Sequence, residues 1–419
     1  MRFPAALAPL LLLAACHAPG AAPEAPAPVD PVAHARELAK RFVIVDGHID
    51  VPYRLHSQKE KGEPVDDVGD ATASGDFDWP RAVAGGLDAP FFSIYTPAED
   101  EKLGTSKQVA EELIDSCDAL IARHPDRFEL ARTAADVRRI AGAGKIAVLY
   151  GMENGSPIEG KLENVDHFFE RGVRYITLAH GEDNHLSDSS YDKRHTNGGL
   201  SPFGVEVVRR MNELGILVDV SHLSDEAFED VLACTQAPVI ASHSSLRHFV
   251  PGFERNVSDD MVRAVAKNGG VVQINFGSSF LTAAANSVGF ARHEAIQAFA
   301  KEKGLEDSAP EVQAFAAAYD AEHPLPLADV KDVADHIDRV VQLVGAEHVG
   351  FGSDFDGVGP TLPSGLKDVS MYPNLLAELL RRGYSDSDLE KICGANVLRV
   401  MERAEAVARE LSRGGAPTR

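Results

Sequence analysis

Short apolar runs rich in valine and isoleucine recur along this chain and alternate with longer stretches of helical periodicity. Eight runs are predicted to be buried strands: Phe42–Val45, Phe91–Tyr95, Lys145–Tyr150, Tyr175–Ala179, Leu217–Val220, Val239–Ala241, Val271–Phe276 and Val349–Gly352. The helical stretches include Lys107–Arg123, Val165–Gly172, Gly204–Gly215, Ser224–Cys234, Ser258–Gly269 and Val330–Gly345. Because strand and helix alternate eight times, the pattern predicts an α/β fold, a (β/α)8 TIM-like barrel with a parallel sheet.

Residues at the segment ends agree with the barrel. Ser224 and Ser258 stand where helix N-caps are expected, and glycine closes several helical stretches. A doubly wound open sheet, the competing α/β fold, would need a glycine-rich phosphate-binding turn after its first strand. The first strand instead runs into the sequence DGHID at 46–50, so we expect the barrel.

Two parts of the chain depart from the simple alternation. Gly277–Ala328 separates the seventh and eighth predicted strands and carries helical patterns at His293–Lys303 and Pro310–Tyr319. We expect a helical insertion over one face of the barrel, either a lid or the contact surface of a homodimer. Asn374–Leu411 predicts a C-terminal helical segment, in which Ser385 is placed as a cap.

The first residues have the pattern of an export signal. Arg2 supplies a positive start, and Ala5–Ala15 form an apolar run that is too short to span a bilayer. The sequence LAAC at 13–16 resembles the lipobox of bacterial lipoproteins, which predicts cleavage before Cys16 and acylation of that cysteine. An ordinary secretory signal with a coincidental cysteine is the alternative.

This pattern divides the chain into three parts. Residues 1–15 are predicted to be a lipoprotein-type signal peptide, residues 16–32 an extended tether rich in Ala and Pro, and residues 33–419 the barrel domain. The mature protein would be exported and held at the membrane through lipidated Cys16. We expect a cell-envelope lipoprotein that faces the periplasm or the surface of a bacterium.

The composition narrows the range of partners. The 419 residues include 41 Lys and Arg against 64 Asp and Glu, a formal net charge of −23, which argues against a nucleic-acid partner. Besides Cys16 the chain has Cys117, Cys234 and Cys393, and no CxxC pair. An odd number so widely spread argues against a disulfide framework and a structural cysteine-type zinc site. We expect all three cysteines to be small buried residues.

Polar side chains that could bind a metal or take part in catalysis follow the ends of the predicted strands. They are His48, Asp50, Glu153, His180, His222, His243 and Asp354. In a (β/α)8 barrel the carboxyl ends of the strands meet at one mouth, and the chemistry occurs there. Other histidines scatter along the chain and are expected to be structural, namely His56, His124, His167, His293 and His336.

Imidazole and carboxylate groups are suitable ligands for Zn²⁺ or another divalent ion. His48 and Asp50 lie two residues apart in an extended segment, so both can face one point. The candidate ligands outnumber what a single tetrahedral zinc uses, and two ions explain them better. His48 and Asp50 would bind one ion, His222 and His243 the other, and Glu153 would bridge them. Ions roughly 3.5–4 Å apart can share a hydroxide of lowered pKa, which would be the nucleophile.

Seven segments of the chain carry a family resemblance. They are DGHID at 46–50, GMENG at 151–155, LAH at 178–180, DVSHLS at 219–224, ASHSS at 241–245, RNVSDD at 255–260 and GFGSDFDG at 350–357. In this order they resemble the membrane (renal-type) dipeptidases, a metallopeptidase family of the amidohydrolase barrel superfamily. The similarity extends from about Phe42 to Val400. It implies a binuclear zinc enzyme that hydrolyses dipeptides, including those with a C-terminal D-residue.

The resemblance also implies a role for each matching residue. The metal ligands that it implies are the five residues assigned above. His180 would contact the substrate and polarise the carbonyl oxygen, and Asp354 would carry a proton from the bridging hydroxide to the leaving amine. Arg255 would hold the free C-terminal carboxylate, which suits its planar guanidinium. Amide hydrolysis needs a nucleophile, a partner for the oxyanion and a proton for the leaving amine. Asp356 is assigned to orienting the loop.

Some points of this scheme stay open. Arg255 could instead form a surface ion pair with Asp259 or Asp260. Residues 277–279, Gly-Ser-Ser, stand where family members often carry an aromatic residue that contacts the substrate, so the side-chain preference is undecided. Another metal-dependent amidohydrolase, acting on an N-acyl amino acid or a lactone, is an alternative function, but such a substrate without a free carboxylate would not need Arg255. A solute-binding lipoprotein is a third, and it would lack the paired-metal set.

Overall fold

The computed structural model describes Met1 and residues 30–306 and 309–414. The predicted signal peptide, Cys16 and most of the predicted tether lie outside the described residues. The strands in the described ranges are β1 (Ile44–Ile49), β2 (Leu87–Tyr95), β3 (Phe128–Leu130), β4 (Ile146–Glu153), β5 (Val173–Thr177), β6 (Leu217–Asp219), β7 (Ile240–Ala241), β8 (Val271–Ile274) and β9 (Val349–Phe351).

Eight of these strands form a closed, all-parallel barrel, which confirms the predicted fold. The barrel closes where Asp46 of β1 pairs with Phe351 of β9. Strand β3 is additional and was not predicted. It pairs with the first half of β4, from Phe128 opposite Ile146, whereas the second half of β4 pairs with β2 inside the barrel.

The helices surround the barrel. They are α1 (Pro31–Arg41), α2 (Val51–Glu60), α3 (Trp79–Gly85), α4 (Ala98–Leu103), α5 (Ser106–Arg123), α6 (Ala134–Gly142), α7 (Glu163–Arg171), α8 (Pro202–Leu214), α9 (Asp225–Cys234), α10 (Asp259–Asn268), α11 (Ser278–Leu281), α12 (Ala283–Lys303), α13 (Pro310–Glu322), α14 (Val330–Val344), α15 (Tyr372–Arg381), α16 (Asp386–Glu390) and α17 (Asn396–Ser412). The predicted caps Ser224 and Ser258 accept hydrogen bonds from the backbone N–H groups of Ala227 and Met261. Within the described ranges, none of these helices has the length and apolar character needed to cross a bilayer.

Helix α17 closes the barrel at the end where the strands begin. One apolar cluster joins its side chains to early residues of the strands, including Val397, Val400, Met401, Ala404, Val45, Phe91, Leu149, Leu217, Ile240 and Val271. Removing such side chains from water is the main stabilising contribution to a core of this kind. The opposite end, where the strands terminate, is the mouth of the barrel and carries the predicted site residues.

The insertion lies where it was predicted, between the seventh and eighth barrel strands. It consists of α11, α12 and α13, and both predicted helical patterns fall within it. Helices α12 and α13 pack on each other, with the rings of Phe299 and Phe315 stacked 4.3 Å apart. Helix α11 lies beside the mouth, because the side-chain amide of Asn256 donates to the carbonyl of Phe280 at 2.8 Å. A lid or a homodimer contact remains a prediction for this segment.

The cysteine prediction is correct in part. Cys117 and Cys393 are buried, and none of the three described cysteines forms a disulfide. The expectation of full burial is wrong for Cys234, which is partly exposed. Its position as the last residue of α9 explains the difference, because a helix end is covered on fewer sides than a helix interior.

His336 of α14 connects the insertion to the rest of the barrel. The backbone N–H of Leu246 donates to Nδ1 of this imidazole at 3.0 Å, so its Nε2 carries the proton and donates to the carbonyl of Leu281 at 3.0 Å. Burial lowers the pKa of His336 to about 4. The ring is therefore neutral in the folded protein over the physiological pH range, which agrees with the structural role predicted for His336.

We expect this burial to make stability depend on pH. Between pH 6.5 and about 4 an unfolded chain binds the proton that folded His336 refuses, so the free energy of unfolding falls as the pH falls. Between about pH 7 and pH 5 the wild type should lose about 2 kcal/mol more than His336→Asn in urea unfolding. His293→Asn, on the exposed face of α12, is the control. Equal losses in wild type and His336→Asn would contradict the prediction.

Candidate active site

Strand β1 places the first two predicted ligands at the mouth. It extends to Ile49, beyond the predicted end at Val45, so His48 belongs to the strand and Asp50 follows it directly. Nε2 of His48 lies 3.3 Å from Oδ2 of Asp50, and both side chains are buried. Nδ1 of His48 is 2.7 Å from the hydroxyl of Tyr175, which orients the ring. The two-residue spacing therefore brings both groups to one point, as predicted.

Glu153, the last residue of β4, stands between the other candidates. Its Oε2 lies 3.4 Å from Nε2 of His48 and accepts a hydrogen bond from Ser93 at 3.2 Å. Its Oε1 lies 3.2 Å from Nε2 of both His222 and His243. Although burial alone would raise the pKa of this carboxyl, the surrounding imidazoles hold it well below its usual value. Glu153 is therefore an ionised carboxylate whose two oxygens face different imidazoles.

His222 and His243 extend from the loops that follow β6 and β7. Their Nε2 atoms lie 2.9 Å apart, and both side chains are buried. His222 has a φ of 69°, a left-handed conformation that a non-glycine residue adopts only rarely. Burial lowers the pKa of both imidazoles well below the usual value. Both are therefore neutral, which is the form that binds metals.

His180 follows β5 and is more accessible than the other candidates. Its Nε2 lies 3.5 Å from Oε1 of Glu153, and 24% of its side chain is exposed against 5% for that glutamate. Its ring packs on Tyr95 and His222, with centroids 4.6 and 4.2 Å away. This position at the open side of the cluster suits a group that contacts a ligand.

Asp354 follows β9 and has a φ of 63°. Its Oδ2 accepts a hydrogen bond from the side-chain amide of Asn275 at 2.7 Å. Burial, together with the negative charge of Asp50, raises the pKa of Asp354 to about 8. A Cβ at Gly357 would lie 2.2 Å from an oxygen of each carboxylate, so the close approach of the loop requires glycine there.

Asp356, two residues further on, faces away from this cluster. Its Oδ2 lies 3.0 Å from Nε of Arg54, and its Oδ1 accepts a hydrogen bond from the backbone of Asp76 at 2.6 Å. The backbone N–H of Asp356 in turn donates to the carboxylate of Asp76 at 2.8 Å. These contacts hold the loop that carries Asp354, which agrees with the orienting role assigned to Asp356.

Arg255 is buried beside the cluster. Its guanidinium donates to the hydroxyl of Ser244 at 2.8 Å and to the carbonyl of His243 at 3.0 Å, and its Nε is buried with no hydrogen-bond partner. The alternative of a surface ion pair is wrong, because Asp259 pairs with Arg339. The other proposed partner, an aspartate at position 260, contacts an arginine on its own helix.

The arrangement of donors fits metal binding. Three overlapping groups have ligand atoms within 4.8 Å of one another, namely His48, Glu153 and His243; Glu153, His180 and His222; and His48, Asp50 and Asp354. Nε2 of His48 is buried and has no hydrogen-bond partner. Such an orphaned atom costs about 1–3 kcal/mol unless something binds it. Imidazole nitrogens and carboxylate oxygens around one point are ligands that a divalent ion such as Zn²⁺ accepts.

Residues 32–414 match the sequence profile of a family described as membrane dipeptidase, peptidase family M19. This chain belongs to the M19 family. Dipeptidase verJ of Clonostachys rogersoniana is 34% identical over 396 residues, which cover 92% of this chain and 90% of that protein. Dipeptidase tcpJ of Claviceps purpurea is 34% identical over 376 residues, 87% of this chain and 77% of that protein.

Solved structures of similar proteins share the fold of this chain. The probable dipeptidase PvdM from Pseudomonas aeruginosa is 29% identical with a TM-score of 0.77, covering 91% of this chain and 100% of that one. A metallo peptidase from Rhodobacter sphaeroides, liganded with a phosphinate mimic of the dipeptide L-Ala-D-Ala, shares the fold at 24% identity and a TM-score of 0.70. It covers 87% of this chain and 99% of its own.

Membership of the M19 family makes this protein a metallo-dipeptidase, a hydrolase of peptide bonds. The resemblance that the seven sequence segments indicated is thereby confirmed. The solute-binding alternative is excluded. A dipeptidase is also favoured over hydrolases of N-acyl amino acids or lactones, because both curated relatives described above are dipeptidases.

The candidate site also includes a chain of buried polar groups that the sequence patterns had not indicated. The hydroxyl of Ser242 donates to Oδ2 of Asp219 at 2.6 Å, and the oxygen of this hydroxyl lies 2.7 Å from Nδ1 of His243. Because Ser242 uses its proton on the carboxylate, its oxygen accepts the proton of Nδ1. This leaves a lone pair on Nε2 of His243, directed at the cluster.

A matching arrangement supports the opposite side of the barrel. Asp46 accepts hydrogen bonds from the backbone N–H groups of His48 and Ser353, both at 3.0 Å, and from the hydroxyl of Tyr372 at 2.5 Å. Asp46 and Asp219 are aspartates inside otherwise apolar strands, and each begins one of the matched segments. A buried ionisable residue in an apolar run was the sequence signal that could have revealed both.

Replacing Ser242 with Ala should weaken metal binding. The variant loses the hydroxyl that fixes the tautomer of His243, and removal of such a supporting group typically lowers metal affinity about 10- to 100-fold. Zinc affinity measured by competition with a chelator tests this. Ser245→Ala is the matched control, because its buried hydroxyl donates to the carbonyl of Asn275 and not to a candidate ligand. Equal weakening in both variants would contradict the specific role of Ser242.

Proposed function

We propose that this metallo-dipeptidase binds two zinc ions and cleaves dipeptides, including dipeptides with a C-terminal D-residue. The placement of Glu153 carries the proposal, because its two carboxylate oxygens face different imidazoles. His48 and Asp50 would bind one ion, and His222 and His243 the other, with Glu153 shared between them. An ionised carboxylate whose two oxygens face imidazoles on different strands suits a pair of cations.

The two ions, when bound, would supply a water of lowered pKa and an electrophile for the peptide carbonyl. The chain itself provides the remaining functions. Asp354 is placed to take a proton from the attacking water and pass it to the leaving amine. Burial and Asp50 raise the pKa of Asp354 to about 8, and neighbouring cations would lower it so that the group can act as a base. His180 would donate from Nε2 to the negative charge that develops on the carbonyl oxygen.

Arg255 supports a substrate with a free carboxylate. Among the described residues no carboxylate pairs with this guanidinium, although acidic residues outnumber basic ones in the chain. A buried cation without a carboxylate partner is costly, and its unpaired Nε–H adds to that cost. The terminal carboxylate of a dipeptide would satisfy both. Arg255 lies close to the cluster, since its guanidinium donates to the carbonyl of the candidate ligand His243.

A panel of L,L- and L,D-dipeptides, each compared with its C-terminal amide, tests the proposal. We expect zinc-loaded protein with about two ions per chain to cleave free dipeptides about 100-fold faster than the amides, because a buried charge pair is worth several kcal/mol. Arg255→Met should lose this preference, while Arg263→Met, which alters an exposed ion pair, should keep it. No cleavage of any dipeptide would refute the proposed function. If the L,L-dipeptides are cleaved and the L,D-dipeptides are not, only the proposed activity on a C-terminal D-residue is refuted.

We also propose that the enzyme is exported and anchored through Cys16. The charged start, the short apolar run and the LAAC sequence support this location. In the cell envelope it would release amino acids from dipeptides, including those from wall turnover. Cys16→Ala should move the protein from the membrane fraction to the soluble fraction. A variant that stays in the membrane fraction would contradict anchoring through this residue.

A further inference from the structure

Three aromatic side chains line the side of the mouth that holds Arg255. Phe280 belongs to α11, Phe253 lies between β7 and α10, and Tyr191 lies between β5 and α8. The guanidinium carbon of Arg255 is 5.4 Å from the ring centre of Phe280. The ring centres of Phe280 and Phe253 are 5.8 Å apart, and those of Phe253 and Tyr191 are 6.1 Å apart. We call these three rings the aromatic wall.

The aromatic wall leads from Arg255 to the candidate metal cluster. Its far end, Tyr191, lies 5.9 Å from the ring of His222. The wall is also accessible, because 44% of Tyr191 is exposed and the other two rings are only partly buried. A ligand held by Arg255 at one end and by the cluster at the other would therefore lie against it.

Backbone hydrogen bonds hold Phe280 of the wall in place before any ligand binds. The N–H of Phe280 donates to the carbonyl of Gly277 at 2.9 Å, and its carbonyl accepts from Asn256 at 2.8 Å. A Cβ at Gly277 would lie 2.8 Å from the ring of Phe280, so the ring fills the space that a side chain at 277 would need. A surface that is already ordered costs little conformational entropy when it binds.

We propose that the aromatic wall receives the side chain of the substrate's C-terminal residue, and that this dipeptidase selects large apolar side chains there. The inference rests on the proposed function, since it requires the terminal carboxylate on Arg255. With the carboxylate there and the scissile bond beside His222, the residue between them faces the wall. A Phe or Leu side chain gains apolar contact, whereas Gly gains none and a charged side chain loses hydration without finding a partner.

A purely structural role for the wall makes a different prediction. Phe280 could serve only to position Arg255 through the contact between its ring and the guanidinium. Its loss would then impair every substrate that uses Arg255, whatever the C-terminal side chain. Comparing a large and an absent side chain on the same variant separates the two roles.

The test measures kcat/KM for L-Ala-L-Phe and L-Ala-Gly. Phe280→Ala should lower the value for L-Ala-L-Phe about tenfold, as expected for lost apolar contact, and leave that for L-Ala-Gly nearly unchanged. Phe280→Leu, which keeps an apolar side chain, should retain most of the activity on L-Ala-L-Phe. Phe290→Ala is the control, because this exposed aromatic lies on α12 of the same insertion and outside the wall.

Phe253→Ala, on a different loop, should show the same selective loss and covers the case in which Phe280→Ala does not fold. Equal losses on both dipeptides, or no loss on either, would overturn the proposal. If the wild type cleaves neither dipeptide, the proposed function itself fails. If it cleaves both and the variants lose no selectivity, only the role of the wall is refuted.

Discussion

Replacing Glu153 with Ala should remove metal and dipeptide cleavage together. The carboxylate is the only group in the described cluster whose two oxygens face His48 on one side and His222 with His243 on the other. Its loss leaves no carboxylate between the two candidate cation positions. Metal activation supplies several kcal/mol to such a reaction, so kcat/KM should fall on the order of 10³-fold or more.

Metal content by elemental analysis and dipeptide turnover should be measured on the same preparation. Glu206→Ala is the matched control, because this glutamate is exposed on α8 and belongs to none of the potential metal groups. The control should keep both zinc and activity. If Glu153→Ala has lost its metal but still cleaves dipeptides, the proposal that cleavage depends on metal at this site is wrong.

Replacing Asp354 with Asn should separate metal binding from catalysis. The amide has nearly the same size and can still contact Asn275, but it cannot carry a proton. Loss of a general acid–base group typically lowers the rate about 10²- to 10⁴-fold, and we expect this loss in kcat with KM nearly unchanged. Zinc content should remain at the wild-type level, because the five predicted ligands are intact.

Two measurements make the result for Asp354 decisive. The carboxylates of Asp354 and Asp50 are close enough, with His48, to form a potential metal group of their own. If Asp354→Asn loses zinc along with activity, Asp354 is a ligand and the proton-transfer role is contradicted. Asp356→Asn is the control for loop order, because it weakens the contacts to Arg54 and Asp76 without touching the cluster. Its loss of kcat should be much smaller.

The fold and the candidate ligands were predictable because both repeat along the chain. Each apolar run marks a strand, and each polar residue at its end must meet the others once the barrel closes. The left-handed backbone at His222 and Asp354 was not predictable, since no glycine or asparagine marks it. Strand β3 was missed because its middle residue is Glu129, so it does not form an apolar run like those that mark the other strands.

Other functional residues were not predicted because they act through contacts between segments that are distant in the sequence. Asp219 and Asp46 support residues on neighbouring strands, and such partners cannot be read from spacing along one strand. The same holds for the contact between the ring of Phe280 and Arg255, because the insertion has no repeating pattern that would place α11 at the mouth. Sequence motifs therefore identified the reactive groups but not the residues that hold them or limit access to them.

The pairing of β1 with β9 determines the order of events when this protein is made. Asp46 binds the backbone of Ser353, which lies 307 residues further along the chain, and α17 closes the barrel later still. A nascent polypeptide therefore carries the first ligands long before the last strand exists. The proposed ligands meet at one mouth only in the closed barrel, so we expect metal loading to follow synthesis of the whole barrel.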